Sequence, residues 1–163
     1  MLKITPFSDF EAAIILNWPQ NETEFYWWSA GKFGAYPAKP ETVTEFYRDP
    51  TNRFCNIYSV QDESGLCGHY TLRFLDDAHK RLRLGFIILN PDRRGKGYGK
   101  AMLSLALADI KKRYPNTPVS LGVFTDNAPA IHCYRSLGFH FTGEEEIISL
   151  PTGNARYQIM QIN

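Results

Sequence analysis

The chain has 163 residues, 44% hydrophobic and 21% charged, with a formal net charge of +1; this is the balance of one ordinary globular domain that can bury a core without disulfides or metal. So small a charge excludes nucleic-acid binding by bulk electrostatics, and no apolar run approaches the roughly 18 residues of a membrane span. Met1-Leu2-Lys3-Ile4-Thr5-Pro6 lacks the long apolar stretch of a signal peptide, so a cytoplasmic location is expected.

In chain order, Ser8-Asp9-Phe10-Glu11 reads as a capping box opening a short helix that runs toward Trp18. Asn21 to Glu24 repeats that signal, with Gly31 placed to close the second helix. Pro40 fits the first turn of a third helix, which ends before Asp49-Pro50. The first fifty residues are therefore expected to be helices and loops. Trp18, Tyr26, Trp27, Trp28 and Tyr36 are either core or the walls of a cleft. Phe54 to Val60 reads as a strand, Asp62-Glu63-Ser64-Gly65 as a hairpin turn, and Leu66 to Phe74 as an alternating strand with Cys67, His69, Thr71 and Arg73 on its other face. Cys55, Cys67 and Cys133 are an odd set with no zinc spacing, and are expected to be buried thiols. Arg81 to Leu89 is a third strand. A helix from about Tyr98 to Tyr114 follows, then a strand from Val119 to Phe124 and a short helix capped by Asn127. Phe139 to Leu150 and Arg156 to Ile162 form a last pair of strands. The order implies a mixed α/β sheet.

The sharpest local signal is Arg94-Gly95-Lys96-Gly97-Tyr98-Gly99-Lys100, which joins an apolar strand directly to a helix. Glycines let a backbone turn with its N–H groups inward. The first N–H groups of a helix have no internal partners, and its dipole adds partial positive charge. Such a loop is an anion site. A dinucleotide fingerprint fails because Lys100 stands where the third glycine is needed. A P-loop fails because Gly95 to Gly99 is one residue short and Ala101 replaces the magnesium-binding hydroxyl.

Two segments resemble a known family. Arg94-x-x-Gly97-x-Gly99 is similar to the acetyl-CoA signature [QR]-x-x-G-x-[GA] of the GCN5-related N-acetyltransferase (GNAT) family. Asn127-Ala128-Pro129-Ala130-Ile131-His132-Cys133-Tyr134-Arg135-Ser136-Leu137-Gly138-Phe139 is similar to its N-x-x-A-x-x-x-Y-x-x-x-G-F segment. The resemblance is close over residues 81 to 142, compatible over 54 to 80 and 143 to 163, and one of helical pattern before that. It implies an α/β fold with a mixed, mostly antiparallel central sheet and flanking helices, as one domain over residues 1 to 163. It implies an acetyl-CoA-dependent N-acetyltransferase that moves acetyl directly to a primary amine of a small molecule or peptide. Metal, nucleic acid and membrane are not expected, and the protein is expected to be a monomer or homodimer. The alternative is a non-catalytic acyl-CoA-binding module on the same fold.

By the same resemblance, the amides of Arg94, Gly95, Lys96, Gly97, Tyr98, Gly99 and Lys100 bind pyrophosphate, and the backbone of Phe86, Ile87, Ile88 and Leu89 pairs with the pantetheine arm. Asn127 contacts the cosubstrate, and Tyr134 stands near the thioester sulfur as its acid. The strands ending at Leu89 and beginning at Val119 splay to admit the arm. Many relatives carry a glutamate where Arg83 stands here, which leaves His69, Glu24, Glu45 or a water chain as alternatives for the base.

Overall fold

The structure is a computed structural model that describes residues 1–163. Its strands are β1 (Lys3–Pro6), β2 (Phe54–Asp62), β3 (Gly65–Phe74), β4 (Leu82–Leu89), β5 (Val119–Phe124), β6 (His140–Leu150) and β7 (Gly153–Ile162). The helices are α1 (Glu11–Ile15), α2 (Glu22–Ser29), α3 (Pro40–Arg48), α4 (Tyr98–Arg113) and α5 (Ala128–Ser136). All seven strands form one sheet in the order β1-β2-β3-β4-β5-β7-β6. Every neighbouring pair is antiparallel except β4 and β5. The expected mixed, mostly antiparallel sheet is therefore present. No helix is long and apolar enough to cross a membrane.

Each face of the sheet carries its own core. Met102, Leu103, Ala106 and Ile110 of α4 lie at helical spacing and pack with Tyr70, Leu72, Leu82, Leu84 and Leu121. Burying side chains such as Leu103 or Ile110 stabilises by about 1.5–3 kcal/mol each. On the opposite face, α1, α2 and α3 contribute Ala12, Ile15, Phe25, Tyr26, Trp28, Val43 and Tyr47 to a core that includes Ile88, Phe124 and Leu150.

The N-terminal fifty residues depart from expectation in three ways. Lys3–Pro6 is an edge strand antiparallel to β2, with Ile4 opposite Val60. At Ser8 only half of the capping box forms: its N–H donates to Glu11 Oε1 at 2.7 Å, and the helix is one short turn that stops at Ile15. α2 begins as expected, with Asn21 accepting from the Glu24 N–H, but Ala30, in the left-handed region at φ 50°, closes it one residue before Gly31. The strand alternation read across β3 has a different meaning as well. β3 is a central strand covered on both sides, so His69 and Thr71 are fully buried rather than facing water. Of the three free thiols only Cys67 is buried; Cys55 and Cys133 are half-exposed.

Candidate active site

The β4–β5 seam is where the sheet opens. Parallel pairing covers only Leu82 with Val119 and Arg83 with Ser120. Beyond Arg83 the two strands part, and that edge of β4, from Leu84 to Leu89, has no strand neighbour. On its other edge β4 stays paired with β3, but Thr71 opposes Gly85 while His69 opposes Ile88. Phe86 and Ile87 thus share one partner position, a β-bulge. Phe86 takes φ 48°, a left-handed conformation unusual for a bulky residue. Two contacts hold it there. Its ring stacks on Phe33 at 4.9 Å, and its carbonyl accepts from Trp28 Nε1 at 3.0 Å. The resemblance-derived residues Phe86, Ile87, Ile88 and Leu89 therefore line one wall of a wedge.

At the wide end of the wedge lies the glycine loop. After a 3₁₀ turn at Pro91–Arg93, the chain passes through Gly95 (φ 71°) and Gly97 (φ 82°) into α4. The Arg94 N–H donates to Pro91 O at 3.2 Å and the Ala101 N–H to Gly97 O at 3.0 Å. Between them the main-chain N–H groups of Gly95, Lys96, Gly97, Tyr98, Gly99 and Lys100 have no acceptor within the chain. A Cβ placed on Gly95 or Gly97 meets nothing within 4 Å. A row of unpaired donors at a helix N-terminus beside open space suits a diphosphate. Lys96 and Lys100 add charge at the surface.

The loop is braced from below. Asp62 accepts from Arg93 Nε at 2.6 Å, the Tyr98 hydroxyl at 3.0 Å and the Ser64 N–H at 2.8 Å. Arg93 first, and these other donors with it, hold the Asp62 carboxyl far below the usual range. Arg94 turns away from the loop. Its guanidinium donates to Glu24 Oε2 at 2.8 Å and to the Trp18 carbonyl at 3.0 Å, tying the loop to α2. Neither brace was visible in the sequence, because Asp62 and Glu24 lie far from the motif.

On the other wall, Asn127 caps α5 through Oδ1, which accepts from the Ala130 N–H at 3.4 Å. Its side-chain N–H groups remain donors. Tyr134 faces the sheet and is buried, against Phe139 at 6.1 Å. Burial first, then Cys133 and Tyr157, push its phenol well above its ordinary pKa, so it stays protonated at neutral pH.

The candidate bases fare unevenly. Burial drives the His69 ring down to about 3, only partly opposed by a backbone contact with Tyr58. Its Nε2 shares a 2.8 Å hydrogen bond with the Tyr47 hydroxyl. It is a neutral core residue. Burial pulls the Glu24 carboxyl up, but the Gln20 amide and the Arg94 guanidinium outweigh it and leave it low. Glu24 is thus committed to its ion pair. Glu45 lies exposed on α3. Of the aromatic segment, Phe25, Tyr26 and Trp28 are core, while Trp27 is half-exposed.

Residues 18–139 match the model of the acetyltransferase (GNAT) family. A 76-residue stretch is 40% identical to streptothricin acetyltransferase of Streptomyces lavendulae, covering 47% of this chain and 40% of that protein. A 69-residue stretch is 32% identical to spermine/spermidine N(1)-acetyltransferase of Bacillus subtilis (strain 168), covering 42% of this chain and 45% of that one. The matched stretches thus span less than half the length of these relatives. In fold, the chain is similar to spermidine N-acetyltransferase from Vibrio cholerae in complex with CoA and spermine. The TM-score is 0.78 at 22% identity, over 99% of this chain and 94% of that one.

Proposed function

Because the chain belongs to the acetyltransferase (GNAT) family, we propose that it is an acetyl-CoA-dependent N-acetyltransferase acting on a primary amine, with residues 1–163 working as one domain. The observation that carries this reading is the run of unpaired amides from Gly95 to Lys100 opening onto the wedge between β4 and β5. Acetyl-CoA supplies the activated acetyl group. The loop amides, with Lys96 and Lys100, bind its diphosphate. The free edge of β4 pairs with its extended arm as an added strand would. Asn127 donates from the facing loop. Main-chain N–H groups at the Phe86 bulge are the donors for a carbonyl oxygen that gains charge.

Once an ammonium acceptor has lost a proton to water, its nitrogen bonds to the acetyl carbon while the carbon–sulfur bond breaks and its electron pair stays on sulfur. Tyr134 gives its proton to that sulfur and is reprotonated from water; the second proton of the nitrogen passes to water. His69 is buried and too weak a base and Glu24 is held in its ion pair, so the protons of the amine pass to water, directly or through the exposed Glu45 carboxylate.

The reading is tested by ligand binding and turnover. At a hundred times its Kd, acetyl-CoA is expected to stabilise the fold by about 2.7 kcal/mol, which for a chain of this size raises Tm by about 5–10 °C. An amine panel with thiol detection is expected to find free CoA released only with an acceptor present. Binding without turnover on any amine would make the protein an acyl-CoA-binding module, and the absence of both would end the proposal.

A further inference from the structure

A second polar feature lies at the apex of the wedge. Arg73 of β3 and Arg83 of β4 stand directly opposite each other, and Arg83 in turn opposes Ser120 of β5. Residues two apart on a strand share a face. Thr71 and Arg73, Arg83 and Gly85, and Ser120 and Gly122 therefore form adjoining rows on the face covered by α1, α2 and α3. Like charges directly opposite in a sheet are destabilising, and half-buried ones more so when no anion answers them. Both arginines are half-buried. Neither takes part in any ion pair of the molecule. Arg83 Nε donates to Ser120 Oγ at 3.2 Å, a neutral partner whose own hydroxyl donates to the Leu82 carbonyl at 3.4 Å. Glu144 and Glu146 of β6 act on Arg83 through space but form no ion pair with it. Burial first, and then their mutual repulsion for Arg73, make both guanidinium groups harder to keep charged.

Three further features surround the pair. Thr71 Oγ1 is fully buried without a hydrogen-bond partner, and a Cβ on Gly85 would stand 3.3 Å from it. The Tyr157 ring lies across Gly122, with its hydroxyl where a Cβ at Gly122 would be. Burial raises the pKa of that phenol, and the charges of Arg83 and Arg73 pull it back. The two strand positions flanking the opening of the wedge, Gly85 and Gly122, carry no side chain.

We infer that Arg73 and Arg83, with Tyr157 beside them and Ser120 positioning Arg83, form an oxyanion subsite that holds the carboxylate of an amino-acid-type acceptor. The inference rests on the N-acetyltransferase reading above and deepens it. Gly85 and Phe86 lie about 7–10 Å along β4 from Arg83 at strand rise. An arginine side chain and an α-amino acid together bridge that span. A carboxylate held by the paired guanidiniums points its own amino group at the bulge, where the acetyl carbonyl is expected. The same pair repels a polycation. The acceptor class therefore differs from that named for the spermine and spermidine relatives.

The test compares acceptors that differ only in charge: L-amino acids, their α-carboxamides, and spermidine. For the best amino acid, kcat/KM is expected to exceed that of its carboxamide by roughly tenfold or more, the effect of one charge-assisted hydrogen bond. Arg83→Gln and Arg73→Gln are each expected to collapse that ratio, and Arg83→Lys to restore part of it, with the KM for acetyl-CoA unchanged. Binding is read separately, as the rise in Tm given by N-acetyl amino acids in the presence of saturating CoA, which Arg83→Gln is expected to abolish. If carboxamides or spermidine serve as well as the amino acids, or if the preference survives both glutamine variants, the subsite is wrong while the acetyltransferase reading stands. If N-acetyl amino acids give no shift and no amino acid is acetylated, the subsite is likewise overturned. If acetyl-CoA itself fails to bind, the broader reading fails instead.

Discussion

On the proposed reading, Tyr134 combines packing and proton supply in one side chain. Tyr134→Phe keeps the ring among its neighbours and removes the hydroxyl. It is expected to lower kcat by roughly ten- to a thousandfold while acetyl-CoA affinity, measured by calorimetry, stays within a factor of about two. Because burial raises this phenol, the wild-type kcat profile is expected to show no descending limb from it up to about pH 10. Wild-type turnover in the Phe variant would return Tyr134 to the core. His69 makes the opposite kind of statement. Its folded pKa of about 3 lies below that of an unfolded histidine, near 6.5. Between those values the unfolded chain takes up a proton that the folded one refuses. The contribution of His69 to stability should therefore be flat above about pH 6.5 and fall by about 1.4 kcal/mol per unit as pH drops below it. Replacing His69 by Gln is expected to remove about one proton from that slope in urea melts at pH 4 to 6.5. An unchanged slope would mean that the ring is charged or solvated in the fold.

Between residues and the fold stand the elements, and two of them hold the site. The glycine loop depends on left-handed backbone: Gly97 sits at φ 82° with open space where a side chain would go. Gly97→Val strains the turn and puts its isopropyl group in the path proposed for the diphosphate. It is expected to weaken acetyl-CoA binding by about 10- to 100-fold, the loss of one strong hydrogen bond, in a protein that still melts cooperatively. Undiminished affinity would reduce the loop to a plain turn. The β4 bulge depends on α2, through the Trp28 indole on the Phe86 carbonyl. Trp28→Phe leaves that carbonyl bare at a cost of about 1–3 kcal/mol; a loss below about 0.5 kcal/mol, within ordinary surface effects, would show the pin to be incidental. The loop was legible in the sequence because its chemistry is local: glycine spacing and a helix start lie within seven residues. β2 through β7 were legible from alternation and turn residues. β1 was not, since Lys3–Pro6 is too short to show a period and ends in proline at a sheet edge. The burial of His69 was hidden because alternation marks two faces of a strand without saying whether both are covered. The Arg73–Arg83 pair and the Phe86 bulge are properties of register between strands, which no single segment encodes.

At the scale of the whole molecule, the two cores lie back to back on shared strands, with Leu84 facing one and Ile88 the other. Neither layer keeps its partner surface if the sheet is lost. Unfolding is expected as one transition, with coincident melts by circular dichroism and tryptophan fluorescence; separated midpoints would divide the chain into independent units. The parted seam gives that single body a direction of weakness. A pull across the sheet from β1 toward β6 crosses ladders of four or more register positions until it reaches β4 and β5. There only two register positions, Leu82 with Val119 and Arg83 with Ser120, join the strands. The sheet is an unevenly sewn fabric, and its stitching is sparsest at the opening proposed to take acetyl-CoA. If the extended arm of acetyl-CoA lies along that opening as proposed, it works as a zip: the weakest line of the protein becomes a continuous ladder, and the stiffness of the whole sheet is expected to report occupancy.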